Sequence, residues 1–274
     1  MEIMEIIKES FIFPSKNLDK LAIYIILTFV STLLLTSGLF SLVIGTESSA
    51  FAILGVILII LSLIVIFVMM GYELGIMKSG INHDEKAPSF EWKNNVVTGI
   101  KVTVLNIVYF IIPAIIVGIV ALITNVPGSV MQVLNEATSN INATAINSTV
   151  AVPAVSDATL MALGSSLIIT AIVAIILFII FAFIASMGQA RLANTDSLKN
   201  GLNVVEAAKD IPRIGVGKVV ATVLLTIIVL MVIEGILSYI AGQIPQVGIL
   251  SVIVTPYLLF FVERAYGLLY SDIA

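Results

Sequence analysis

No cysteine occurs in the 274 residues, and histidine occurs once, at His83. The first absence excludes disulfides, thiolate metal sites, iron–sulfur clusters and cysteine nucleophiles, and the second removes histidine-cluster metal sites. Charge is scarce too. Asp, Glu, Lys and Arg make up 11% of the chain, where an ordinary soluble domain carries about a quarter. So few ionic groups do not cover a soluble surface. The formal net charge of −4 leaves no basic footprint for nucleic acid. What fills the chain instead is apolar: 59% hydrophobic residues and a mean hydropathy of +1.17. An integral membrane protein is the first inference.

An α-helix rises about 1.5 Å per residue, so a hydrocarbon layer of about 30 Å takes about 20 apolar residues. Six runs meet that requirement, at 21–44, 51–70, 102–123, 160–187, 219–242 and 247–270. The sixth has its densest apolar stretch before Glu263-Arg264 and contains Pro256, which a membrane helix tolerates with a kink. The runs are continuous rather than alternating, which argues for helices and against a transmembrane barrel. A cleaved leader is not expected, because the first run starts only at Leu21 and no cleavage pattern follows. No lipidation motif marks either end.

The basic residues divide these runs by side. Lys8, Lys16 and Lys20 precede the first; Lys78, Lys86, Lys93 and Lys101 lie between the second and third. Arg191, Lys199, Lys209, Arg213 and Lys218 lie between the fourth and fifth, and Arg264 closes the sixth. These are all 13 Lys and Arg of the chain, and the three opposite loops hold none. The positive-inside rule then predicts that both termini are cytoplasmic, in a multi-pass protein of the cell membrane.

The loops differ in kind. The segment 124–159 is long, rich in Asn, Ser, Thr and Ala, and is expected to be an extracellular, partly disordered cap. It holds two acceptor patterns for N-glycosylation, at Asn142 and Asn147. The basic side is amphipathic. In residues 1–13, Ile3, Met4, Ile7 and Phe11 share one face of a helical wheel. Residues 88–101 oppose Phe90, Val96, Val97 and Ile100 to Glu91, Asn94, Asn95 and Thr98. A third segment follows Asp196, read as its N-cap, with Leu198, Leu202 and Val205 on one side and Pro212 as its end. Such helices lie in the headgroup plane, a depth that suits Trp92, the only tryptophan. The expected fold is all-α: a six-helix membrane bundle forming one transmembrane domain over 1–274, with three cytoplasmic interfacial helices. The order helix, span, span recurs over about 1–75, 85–190 and 196–274, which suggests a threefold repeat.

One stretch is recognisable. Phe13-Pro14, Gly71-Tyr72, Ala87-Pro88-Ser89-Phe90-Glu91-Trp92, Gly99-Ile100-Lys101 and Tyr109-Phe110-Ile111-Ile112-Pro113 resemble the archaeal membrane family called domain of unknown function 4013. The resemblance implies a multi-pass membrane protein over most of the chain. It brings no activity and no catalytic residue.

Candidate chemistry is sparse. Glu234 is the one ionisable residue well inside a run, about 24 Å above Lys218 along the helix. It is a candidate proton or cation site, or a glutamate hydrogen-bonded to Ser238 or Tyr239 one turn away. Glu73, Arg191, Glu263 and Arg264 fall at the basic ends of the second, fourth and sixth runs. There the two acids are placed to pair with the two arginines across the inner mouth of the bundle. His83, in Asn82-His83-Asp84-Glu85, reads as a solvated connector. No nucleophile elbow, phosphate loop or His-Glu-x-x-His occurs. The chain is therefore expected not to be an enzyme, with no catalytic, cofactor-binding or metal residues and no cofactor. Its expected partners are membrane lipids and other membrane proteins, and no nucleic acid. The leading expectation is a non-catalytic component that organises the membrane or binds lipid or protein. The alternative is a transporter or channel for a proton, cation or small solute that works through Glu234.

Overall fold

A computed structural model describes residues 1–45, 48–147 and 155–274, with the side chains of 139–147 and 245 left aside. All regular structure among them is helical. In chain order the helices are α1 (Ile3–Lys16), α2 (Leu18–Ile44), α3 (Ser49–Ile81), α4 (Trp92–Ile123), α5 (Val126–Asn147), α6 (Asp157–Thr195), α7 (Leu198–Gly201), α8 (Val204–Ile214), α9 (Val216–Gln243) and α10 (Ser251–Tyr270). A 3₁₀ helix, Pro245–Leu250, leads into α10. Six helical stretches among the described residues are long and apolar enough to cross a membrane: α2, α3, α4, α6, α9 and Gln246–Tyr270. They correspond one for one to the six apolar runs. At most 22% of the most apolar window of any of them is buried, so the chain itself leaves most of these apolar surfaces uncovered.

Several helices run past the apolar stretches that announce them. Hydropathy marks the hydrocarbon-facing part of a helix, not its hydrogen-bonded end. Thus α3 continues through Glu73 and Lys78 to Ile81 and α6 continues through Arg191 to Thr195. The amphipathic segments of the basic side have different fates. The first is a separate helix, α1, which passes through the buried Pro14 and ends at Lys16. The second is not separate. Residues 88–91 are non-helical and α4 runs unbroken from Trp92 into its apolar part, because no helix breaker separates Lys101 from Val102. The third divides at Leu202–Asn203 into α7 and α8, with the Asn203 side chain accepting from the Glu206 backbone N–H at 3.2 Å. Asp196 does not cap a helix start. It follows the end of α6 in the left-handed region (φ 54°), and α8 runs through Pro212 to Ile214. The segment expected to be a partly disordered cap carries α5, a 22-residue helix whose modest amphipathicity is masked by its Asn, Ser and Thr content. The side chains of Asn142 and Asn147 lie outside the described residues. The threefold repeat is not evident in this order of elements.

The chain forms two compact units, residues 1–106 with 184–274, and residues 107–183. In the smaller unit Phe110 and Phe178 stack at 6.1 Å and the Thr124 and Thr170 hydroxyls are hydrogen-bonded at 2.9 Å. The Glu136 carboxylate of α5 accepts from the Ser156 N–H at 2.8 Å and from the Thr159 hydroxyl at 2.5 Å, just at the start of α6.

In the larger unit α2 lies along α3, α10 packs on α3, and α1 packs on α10. Its core sits at the basic end, around Phe13, Leu21, Tyr24, Tyr72, Ile76, Ala87 and Phe260. Asn17 makes the joint between α1 and α2. Its side chain donates to the Phe13 carbonyl (2.9 Å) and accepts from the Ala87 N–H (2.8 Å), which ties that joint to the segment after α3. α3 itself ends in a Schellman motif. His83 adopts φ 57° and donates its N–H to the Gly80 carbonyl, while the Asp84 N–H reaches the Ser79 carbonyl. The lone histidine thus takes the left-handed position just past the helix C-cap, Asn82.

Candidate functional site at the basic end

The aromatic residues of the core build the floor of this end. Tyr24 meets Phe260 edge-on at 5.3 Å, and Tyr72 stacks on Phe90 at 3.8 Å with ring planes 4° apart. The Tyr72 hydroxyl donates to the Pro88 carbonyl at 3.1 Å, and Phe90 stacks in turn on Trp92. The half-buried Glu73 accepts a hydrogen bond from the Tyr24 hydroxyl. Glu263, on α10, lies within electrostatic range of Glu73.

The arginines are committed elsewhere. Arg191 pairs with Asp210 of α8 at 2.8 Å, and Asp210 also receives Arg213 at 2.8 Å and the Tyr270 hydroxyl at 3.1 Å. The Asp210 side chain is 2% exposed, so three donors converge on one buried carboxylate. Arg264, also 2% exposed, pairs with Glu9 of α1 at 2.5 Å, donates to the Ser79 hydroxyl at 3.3 Å, and lies 4.5 Å over the Phe13 ring. The expected pairing of Glu73 and Glu263 with Arg191 and Arg264 is therefore not made. Glu73 accepts from Tyr24 instead, and each arginine finds an acid on one of the amphipathic helices. Those helices are thereby fastened to the ends of the spans. Asp272, beyond α10, closes the same end by taking both Lys218 and the N-terminal amine.

Between α3, the segment 84–91 and the first turns of α4 lies a cavity of about 320 Å³ that also touches Ala193 of α6 and Asp196 just after it. Two lysines (Lys78, Lys86), three carboxylates (Asp84, Glu91, Asp196) and three amides (Asn82, Asn94, Asn95) line it. Ser79, Ser89 and Thr98 add hydroxyls. Lys78 pairs with Asp196 at 2.6 Å, and Asn94 donates to Glu91 at 3.1 Å. Asn95 is 8% exposed, and its Nδ2 has no hydrogen-bond partner among the described residues. A buried amide donor left without an acceptor costs about 1–3 kcal/mol, and this atom has no surface open to the cavity. Beside the cavity runs an apolar groove lined by Phe90, Trp92, Lys93 and Val97, which shares Glu91 and Asn94 with it.

Two close helix contacts fix this wall. A Cβ at Gly99 would come 1.9 Å from the Phe67 carbonyl oxygen, and one at Gly71 would come 2.0 Å from the Asn95 carbonyl oxygen. The two contacts are reciprocal, one turn apart on each helix, as in small-residue crossings of membrane helices.

Glu234 sits apart from this end. Its carboxylate accepts from the Thr255 hydroxyl of α10 at 3.1 Å, rather than from Ser238 or Tyr239. Asn106 accepts from Gln189 at 2.8 Å, and the buried Thr226 hydroxyl donates to its own helix at Thr222. Polar groups within membrane helices ordinarily bond in this way.

The fold and these contacts define an all-α, multi-pass membrane protein. The sequence profile of the family described as "Protein of unknown function (DUF4013)" matches residues 53–242, and the chain belongs to that family. No curated protein and no solved structure matches the chain. The matched region contains the cavity, its glycine contacts and the Tyr72–Phe90–Trp92 stack.

Proposed function

We propose that this protein is a non-catalytic membrane component that binds lipid at its basic end, with both termini on the cytoplasmic side. The observation that carries the reading is the pairing of a polar cavity with an apolar aromatic groove at the level of the only tryptophan. An amphiphile fits such a pair, with its headgroup in the cavity and its chain in the groove. The charge network supports a platform rather than a moving gate. Arg191 and Arg264 are spent on fastening α8 and α1 to the spans. Membrane lipids are the first partners of this end, and other membrane proteins would meet the apolar flanks of the helices.

The competing transport reading needs Glu234 to exchange a proton or cation. It is tested by proton and monovalent-cation flux in proteoliposomes, comparing the wild type with Glu234→Gln. The expected result is flux no greater than in empty liposomes for both, because Glu234 serves as acceptor for Thr255. Wild-type flux that the substitution abolishes, with the fold intact, would replace the lipid-binding reading with transport.

A further inference from the structure

We propose that the cavity takes an uncharged, hydroxyl-rich headgroup, that of a glycosyl-type membrane lipid, whose acyl chain runs along Phe90, Trp92 and Val97. This rests on the lipid-binding reading above and names the class of lipid.

The argument starts from the charge of the cavity wall. Its two lysines face three carboxylates, a formal balance of −1. One lysine, Lys78, is already neutralised by Asp196 at 2.6 Å. A phosphate headgroup would enter among Asp84, Glu91 and Asp196 with a single unpaired lysine, Lys86, to meet it. Like charges at such separations repel, and the anion would lose its water as well. A quaternary ammonium donates no hydrogen bond to the amides and carboxylates of the wall, and within this cavity the only aromatic ring is Tyr72, already stacked on Phe90. A phosphate is repelled, and an ammonium leaves the hydrogen-bonding groups of the wall unmet.

A polyol is served throughout. Each of its hydroxyls both donates and accepts, so carboxylates and amide oxygens take its protons while ammonium and amide N–H groups supply theirs. The wall offers this mixture: acids, lysines, asparagines and small hydroxyls interleaved along α3, the 84–91 segment and α4. The volume, about 320 Å³, falls at the lower end of the range of roughly 300–1,000 Å³ for small-ligand sites. That end suits a compact headgroup rather than a large one. The groove that shares Glu91 and Asn94 with the cavity is apolar and holds Trp92, so the ligand is a lipid and not a free sugar.

Trp92 is the only tryptophan in the chain and lines the groove, so its fluorescence reads this site alone. The experiment reconstitutes the full chain in phosphatidylcholine bilayers. It titrates lipids carrying brominated acyl chains, which quench tryptophan on contact, with either a diglucosyl or a phosphatidylglycerol headgroup. The expected result is half-maximal quenching at an about tenfold lower mole fraction of the diglucosyl lipid. Asn94→Leu, which removes the exposed amide lining both cavity and groove, should bring the two titrations together. Thr98→Val serves as a second variant should Asn94→Leu fail to fold. Preferential quenching by phosphatidylglycerol would overturn the headgroup assignment while leaving lipid binding standing. Equal quenching by both headgroups and by brominated phosphatidylcholine, unchanged in the variants, would overturn both. A Trp92 response to maltose alone, with no lipid preference, would make the ligand a soluble sugar and overturn the lipid assignment.

Discussion

Replacing Asp210 with alanine is expected to destabilise the protein by about 3 kcal/mol or more, the cost of breaking a buried ion pair from one side. Asp210 accepts from Arg191, Arg213 and Tyr270 while its side chain is 2% exposed. Its removal leaves Arg191, 19% exposed, without an ionic partner in a poorly hydrated place. It also leaves the Tyr270 hydroxyl without an acceptor. The damage is local first, because Asp210 is what holds α8 to α6 and α10. Trypsin should therefore cleave at Lys209 and Arg213 in the variant under conditions where the wild type resists. The fall in thermal midpoint in detergent should exceed that of any exposed charge removal. Asp210→Asn keeps an acceptor but loses the charge, and should fall between. Glu206 bonds only exposed partners, Lys209 and Arg213, so Glu206→Ala should change stability by no more than about 0.5 kcal/mol. An Asp210→Ala variant as stable and as protease-resistant as the wild type would show that α8 is held by its apolar face alone.

The second large effect belongs to Gly99. Even alanine there places a Cβ 1.9 Å from the carbonyl oxygen of Phe67. The obstacle is backbone, so no side chain can turn aside and the two helices must separate. Overpacking of this kind costs roughly 1–3 kcal/mol, and more is expected where two contacts are coupled. Gly71 makes the reciprocal contact with Asn95, so separating the helices at Gly99 also moves Asn95 and the cavity wall. Gly99→Ala should thus lower the thermal midpoint and reduce lipid retention together. Gly235 gives the control. A Cβ there meets nothing within 4 Å, and alanine is the better helix former by about 1 kcal/mol. Gly235→Ala should leave stability unchanged or raise it. Equal effects at Gly99 and Gly235 would mean that α3 and α4 do not approach as closely as described.

The two glycines show what could be read without coordinates. Gly71-Tyr72, Pro88-x-Phe90-x-Trp92 and Gly99 stand out in the sequence as a motif. In the structure they form one object, the wall shared by α3 and α4. The six spans were legible because about 20 consecutive apolar residues have few other uses, and the basic end was legible because every Lys and Arg lies on one side of the spans. Pairing was not legible. Glu73, Arg191, Glu263 and Arg264 stand at the basic ends of the apolar runs in the sequence, but which acid meets which base depends on the order of helices around the bundle. Hydropathy carries no information on that order. Asp210 was missed for the same reason. It reads as one more acid in a charged loop, and its burial follows only from how α8 docks. A hint was available in its spacing from Ala207, also buried, three residues earlier on one helix face. Asn95 stands on the polar face of an amphipathic segment, and its burial does not follow from that. A wheel tells which residues share a face and not what covers it. The helix α5 was hidden for a compositional reason, because Asn, Ser and Thr lower helix propensity and the segment looks like a loop.

The most direct test of lipid binding at the basic end is native mass spectrometry of the protein extracted in mild detergent, comparing the wild type with Asn94→Trp. Asn94 is exposed and lines both the cavity and the groove, so a large side chain there obstructs both without disturbing the core. The expected result is a lipid-mass adduct on the wild type that the variant loses at an unchanged thermal midpoint. A wild type that carries no lipid, or adducts that Asn94→Trp leaves untouched, would contradict lipid binding at this end of the protein.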